Sequence, residues 1–312
     1  MRGAPVGAVP SVPGRSSLPP VIGRERRRSG AARPGAWAVG LLVVAVLLAG
    51  LAACSGNETS QGTTAASSAT TEVPAPADAT ASTPAPTTTL GPAPPLPPIA
   101  AAVPGPAQVI SHGAAGSPTV ALTFDDGLCS QCIGNMVADL ERTGTHATFC
   151  PNGSYGKEFA PYVDRIRDLV ARGRLTICNH TWDHKKITTL SNAQLTDEIQ
   201  RNEQWIEDTF GVTGRPYFRP PYGSHNARTD QLAASLGYTK IIVWSSTLSD
   251  STLQTPATII DQLQTRLIPG GIVLGHLNYL PTGETFDQLL AVLDQRGLRP
   301  VTIAELLGPP SP

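Results

Sequence analysis

An α/β fold is predicted for this chain, a parallel sheet closed into a barrel of about seven strands, and two observations predict it. Apolar strand-like runs alternate with helical segments along the last two thirds of the chain, and strand and helix taking turns is the pattern of a parallel sheet. About seven such units are enough for closure. The runs lie at 120–124, 146–150, 175–178, 217–219, 240–244 and 272–274, with a short last one near Pro300 and Val301. Readable punctuation marks the helices between them. Ser191 with Gln194 is a capping box opening a helix that runs to Gly211, Thr255 is a cap followed by Pro256 at the first helical position, and Thr302 with Glu305 opens the last helix.

The chain divides unevenly. Of 312 residues, 30 are Pro and 30 are Gly, and the first third has little core-forming pattern, so one domain of about two hundred residues is the better count. Net charge is −1, and no basic stripe interleaved with aromatics runs through that domain, which argues against a nucleic-acid partner. Residues 1–53 read as an export signal: Arg24, Arg26, Arg27, Arg28 and Arg33 precede an apolar stretch at 36–53 that ends in Leu51-Ala52-Ala53-Cys54. That ending resembles a bacterial lipobox, which implies cleavage before Cys54 and a lipid on its sulfur. An uncleaved membrane anchor is the competing reading, because the run approaches the roughly 20 residues that span a bilayer. Residues 54–106 are Thr, Ser, Ala and Pro with almost no large apolar side chain, so they read as an extended, solvated linker. Its reach at full extension is on the order of 150 Å. The domain itself is expected over 107–312.

Two acids close the first apolar run. In Thr123-Phe124-Asp125-Asp126-Gly127 they sit where a buried strand ends, and because strand side chains alternate between faces, both can reach one ligand only if the strand stops there. Gly127 supplies the permissive backbone. An ordinary surface turn has the same composition. Downstream, His180-Thr181-Trp182-Asp183-His184 places two imidazoles at i and i+4, a spacing that in a helical turn puts both on one side. Packed or surface histidines show it too. Catalytic zinc takes three His or carboxylate ligands and keeps a fourth position open, so Asp126, His180 and His184 form a complete set. Glu does not follow the first His, as it does in HExxH peptidases, which leaves Asp125 as the base.

Two more pieces follow in order. Arg219-Pro220-Pro221-Tyr222-Gly223 is a stiff loop after an apolar segment, and Ile272-Val273-Leu274-Gly275-His276 is a buried strand ending in histidine. The four motifs together, over 118–307, resemble the polysaccharide deacetylase family, carbohydrate esterase family 4. The resemblance implies a distorted (β/α) barrel and the removal of N-acetyl groups from a sugar polymer outside the cell, with peptidoglycan the first guess and a chitin-like polymer the second. It implies a divalent metal, zinc first, with Co2+, Ni2+ or Mn2+ as alternatives. It also implies roles: Arg219 holds and orients Asp125, the backbone N–H of Tyr222 meets the oxyanion, and His276 protonates the leaving amine. The usual Asp-x-x-Asp-Trp pattern is broken here. Asp250 keeps the role of orienting His276, but Thr247 stands for the first Asp and Ser251 for the tryptophan that lines the acetyl pocket, while Leu277 follows His276 where Asp is frequent.

Four further cysteines, Cys129, Cys132, Cys150 and Cys178, lie near the same barrel face. An exported chain favours disulfides. Cys150 and Cys178 end consecutive strands, about 4.8 Å apart if neighbours, so Cys150 with Cys178 and Cys129 with Cys132 is the preferred pairing, and free thiols are the alternative. The whole reads as a monomeric, membrane-tethered enzyme on the outer face. A carbohydrate O-acetyl esterase and a non-catalytic wall-binding lipoprotein are the two competing functions.

Overall fold

β2 (Thr119–Asp126) is buried along all but its first residue, as a parallel strand must be when helices cover one face and a packed interior the other. The computed structural model describes residues 91–99 and 101–308, all within one unit, Ser82–Pro312. The segment read as an export signal, Cys54 and most of the segment read as a linker therefore lie outside the described residues. Ahead of β2 comes β1 (Gln108–Ile110). After it the chain runs through α1 (Ser130–Thr143), β3 (Ala147–Pro151), α2 (Gly156–Phe159), α3 (Val163–Ala171), β4 (Leu175–Ile177), α4 (Asn192–Phe210) and β5 (Tyr217–Phe218). Next are α5 (Ala227–Ser235), β6 (Lys240–Ile242), β7 (Ser246–Thr247), α6 (Pro256–Arg266) and β8 (Ile272–His276). Then α7 (Leu280–Glu284), α8 (Phe286–Gln295), β9 (Arg299–Val301) and α9 (Ile303–Leu307) close the chain.

Every pairing between these strands is parallel, and outside them a single antiparallel bridge joins His112 to Gly271 among the described residues. One sheet has the order β4-β3-β2-β8-β7 and the other β1-β6-β5. A parallel bridge between Asn179 and Phe218 carries β4 over to β5, so β2 to β8 follow one another around the wall as seven parallel strands. Between β6 and β7 the ladder is broken, because β1 occupies the free edge of β6, and the Val243 N–H donates to Ile110 at 2.9 Å. That break is the distortion of the barrel.

Three strands differ from expectation, and the first is Gln108–Ile110, which no anticipated run covers. The seventh wall strand is Ser246–Thr247, a polar pair with no apolar run to announce it. Arg299–Val301 instead pairs with the start of β2, at Thr119–Ala121, outside the series of seven. The three anticipated helix starts are present: the Ser191 and Thr302 capping boxes form in both directions, and Thr255 accepts the Thr258 N–H. Both cysteine pairs are disulfides, with Cα separations of 5.2 Å for Cys129–Cys132 and 4.5 Å for Cys150–Cys178.

Side-chain alternation sorts the core. Leu122 and Phe124 of β2 and Phe149 of β3 pack with Ile133, Met136 and Phe286 in the layer beneath the helices. Ala121, Cys150, Cys178, Tyr217 and Ile272 fill the interior of the wall instead. By the same parity Thr123 and Asp125 point inward, and the register pairs Asp125 with His276 on β8 and with Cys150 on β3. Part of the segment read as linker lies on the domain: Leu96 packs against the larger core, and Arg172 donates to the Gly91 carbonyl at 2.6 Å.

Candidate active site

All the candidate residues of the domain fall at or just beyond the carboxyl ends of strands, the face on which barrel sites are built. Asp125, Asp126, His180, His184, Tyr222, Thr247, Ser251 and His276 line one cavity of about 470 Å3, joined there by Trp244 and Leu274. Arg219 and Asp250 stand behind it, buried against Asp125 and His276 respectively.

Alternation alone would send Asp126 to the face opposite Asp125. Asp126 instead has φ 71°, a left-handed backbone rare outside glycine, and Gly127 follows at φ 115°. The broken alternation brings both acids to one cavity. Gly127 has no substitute, since a Cβ there would meet the Phe159 ring at 2.2 Å.

The two histidines do not meet on a helical turn. Residues 180–184 form a loop outside any helix, with φ 68° at Thr181 and 53° at His184, so the i, i+4 spacing acts through turn geometry rather than helix periodicity. Buried polar groups hold that loop. Asn152 donates to the carbonyls of His180 and Thr181 at 2.6 and 2.8 Å, Asn179 accepts the Thr181 N–H at 2.9 Å, and Glu198 accepts the Asp183 N–H at 2.8 Å. Such strained conformations persist only where surroundings over-determine them.

Asp126 Oδ1 lies 3.4 Å from His180 Nε2 and 3.5 Å from His184 Nε2, and the three donor atoms fall within 4.8 Å of one another. Among the described residues this is the group able to hold a metal ion. Oδ1 is buried and has no hydrogen-bond partner, which a cation bound between the imidazoles would remedy. The Nδ1–H of His180 donates to the Arg219 carbonyl at 2.7 Å, leaving Nε2 as the free nitrogen. Burial, helped by the charge of His180, lowers the His184 pKa to about 4, so its ring is neutral as a ligand must be. Burial opposes charge on His180 and Asp126 as well. Asp125 and Asp126 nevertheless raise the His180 pKa, and the nearby His180, His184 and His276 hold Asp126 far below the usual carboxylate range. A cation held by Asp126, His180 and His184 would favour the neutral form of His180. One carboxylate and two imidazoles are donor types that catalytic zinc takes, and the same atoms suit Co2+, Ni2+ or Mn2+.

Asp125 is fixed from behind. Arg219, fully buried, donates from Nη1 to both its oxygens at 3.0 and 3.2 Å and from Nη2 to Thr123 Oγ1 at 3.0 Å. Thr123 in turn donates to the Val273 carbonyl, tying the pair to β8. Asp125 Oδ2 stands 3.7 Å from His180 Nε2, beside the metal group yet outside it. Tyr222, at φ 60°, is 67% exposed at the rim, and its ring centre lies 4.4 Å from that of His184.

A family model described as polysaccharide deacetylase matches residues 112–241. A deacetylase solved with substrate is 30% identical over 60% of this chain and 89% of that one, with a TM-score of 0.53. This chain belongs to the polysaccharide deacetylase family. A family relative, the peptidoglycan-N-acetylglucosamine deacetylase PgdA of Listeria monocytogenes, is 31% identical over 61% of this chain and 39% of its own. A family 4 pseudoenzyme from Bacillus anthracis is also similar, 25% identical over 64% of this chain and 69% of that one, with a TM-score of 0.59. The chain spans 66% and 39% of the length of two of the curated relatives it matches.

Several residues that build this deacetylase-family site carry no sequence signal of their own. Asn278, Asn152, Asn179 and Glu198 are ordinary polar residues outside the four motifs, Asn179 next to His180 and Asn278 two residues past His276, while Thr123 lies inside a motif that gives its side chain no role.

Proposed function

We propose that this chain hydrolyses N-acetyl groups of an extracellular polysaccharide, with cell-wall peptidoglycan as first substrate, in a reaction that depends on a divalent metal. The observation that carries the reading is that Asp126, His180 and His184 share one cavity with Asp125 and His276, a base and an acid outside the ligand set. Asp126, His180 and His184 would hold the cation, which supplies polarisation of the acetyl carbonyl and acidification of water when bound. Asp125, pinned by Arg219, takes the proton of the attacking water. The backbone N–H of Tyr222 donates to the carbonyl oxygen as charge develops on it. His276 then gives its proton to the sugar nitrogen, the C–N bond breaks, and acetate and a free amine leave. Asp250 keeps His276 charged for that task.

Lipidation at Cys54 and the Pro-rich segment that follows would hold this domain, acting as a monomer, at the outer face of the membrane within reach of the wall. The test of function is acetate release from N-acetylated and O-acetylated polymers, with and without chelator. Release from N-acetylated polymer that chelator abolishes is the expected result. Release from O-acetylated polymer alone makes the chain an esterase. Polymer binding with no release from either makes it a non-catalytic wall protein, the reading raised by its likeness to a pseudoenzyme.

A further inference from the structure

Asp126 divides its two oxygens between two tasks. Oδ1 is buried, lacks a hydrogen-bond partner and lies between His180 Nε2 and His184 Nε2, while Oδ2 accepts a 2.7 Å hydrogen bond from Asn278 Nδ2. We propose that Asn278 is a positioning residue for the metal carboxylate, fixing Asp126 so that one oxygen alone is offered to a divalent cation. The inference rests on the metal assignment above and extends it to a residue outside every motif.

The amide is locked from its other end. Asn278 Oδ1 accepts the N–H groups of Leu128 at 3.1 Å and Gly127 at 3.4 Å. Backbone donors need the oxygen and a carboxylate needs the NH2, so a single orientation of the amide serves both sides. A free carboxylate turns in a broad, roughly two-fold torsional well and can offer either oxygen or both. With Oδ2 engaged, that rotation is blocked. A carboxylate restricted to one oxygen keeps the ligand count low, which suits zinc and disfavours cations such as Ca2+ that gather six to eight oxygens.

The same short segment joins the two catalytic loops. Leu277, between His276 and Asn278, donates its N–H to the Asp125 carbonyl at 3.0 Å and accepts the Cys129 N–H at 3.3 Å. Cys129 caps α1. The loop after β8, which carries the acid, is therefore stitched to the loop after β2, which carries the base and the metal carboxylate, and in that seam the Asn278 side chain holds the carboxylate by the oxygen turned away from the histidines.

The test is metal binding by the chelator-stripped full chain, read by calorimetry with Zn2+ and by the visible spectrum with Co2+. Asn278→Leu should bind Zn2+ about 10- to 100-fold more weakly, the usual cost of losing a hydrogen bond to a ligand, and its Co2+ spectrum should shift as Asp126 turns. Melting in excess chelator reports whether the variant folds. If it does not, Asn278→Gln, which keeps an amide but misplaces it, carries the same expectation. A folded variant with wild-type Zn2+ affinity and an unchanged Co2+ spectrum overturns the role of Asn278 while leaving the metal site standing. Failure of the wild-type chain to bind one Zn2+ overturns the site itself and this inference with it.

Discussion

His276 and Asp250 are joined twice: the ring Nδ1–H donates to Asp250 Oδ1 at 2.8 Å and the backbone N–H of the same histidine donates to Oδ2 at 3.0 Å. Thr282 Oγ1 adds a third bond at 2.8 Å. The imidazole is left with Nε2 as its free nitrogen. Burial works against protonation of His276, but the Asp250 hydrogen bond and charge, with Asp125 and Asp126 beyond, raise its pKa on balance.

A pH dependence follows. A raised pKa keeps His276 protonated to higher pH than an ordinary imidazole near 6.5, and a step that needs this proton fades as pH rises through the raised value. Stability linked to the protonated form is present in full below the ordinary value and is lost over the same rise. Asp250→Asn removes the opposing charge, so the alkaline limb of the kcat profile should move to lower pH. An unmoved limb contradicts the role given to Asp250.

Asp125 and Asp126, the proposed base and the proposed metal carboxylate, are adjacent residues, and mutation can separate the two jobs. Asp125→Asn should keep a full equivalent of metal and lose roughly 10²- to 10⁴-fold in rate, the usual worth of a positioned base. Asp126→Asn should weaken metal binding and recover partly in excess metal. Metal analysis beside kinetics checks both, and metal loss in Asp125→Asn means the jobs are exchanged. His276→Ala should be severe on amides and milder on activated esters, whose leaving groups need no proton.

Much of this was legible in the residues. The apolar runs marked six of the seven wall strands because strands buried on two faces can hardly hide. Ser246–Thr247 escaped because its two polar residues are placed by tertiary contacts, the ladder to β8 and a hydrogen bond from Ser246 Oγ to the Arg266 carbonyl. Spacing suggested that one metal could hold His180 and His184; the two rings do come together beside Asp126, but on a loop and not on a helical turn. Positive φ at Thr181 and His184, imposed by buried Asn152, Asn179 and Glu198, is a tertiary effect that no local pattern carries. Asp126 is the same case. Its left-handed backbone overrides strand alternation, and the seam through Asn278 becomes visible only once β2 and β8 are neighbours.

Arg219 should tolerate little. It is fully buried, bonded to both oxygens of Asp125 and to Thr123, and Arg219→Met leaves a carboxylate buried without its cation. Breaking a buried pair from one side costs about 3–5 kcal/mol, readable by chemical denaturation. Arg219→Lys should recover part of the stability but little of the rate, since a single ammonium cannot serve Asp125 and Thr123 with the same fork. Equal activity in Arg219→Lys would mean that the fork does not orient the base.

Away from the cavity, effects should be plain. Ser191→Ala removes the cap of α4 and should cost about 1 kcal/mol, with zinc affinity unchanged. Altered zinc affinity would show that the start of α4 is coupled to the His loop through Glu198.

The most direct measurement is a Zn2+ titration of the chelator-stripped chain with acetate release from an N-acetylated polymer as readout. Activity should begin near zero, rise linearly and stop rising at one equivalent, and His180→Ala should show no such rise. Full activity in the stripped chain, or a wild-type titration curve in His180→Ala, would contradict metal-dependent deacetylation at this site.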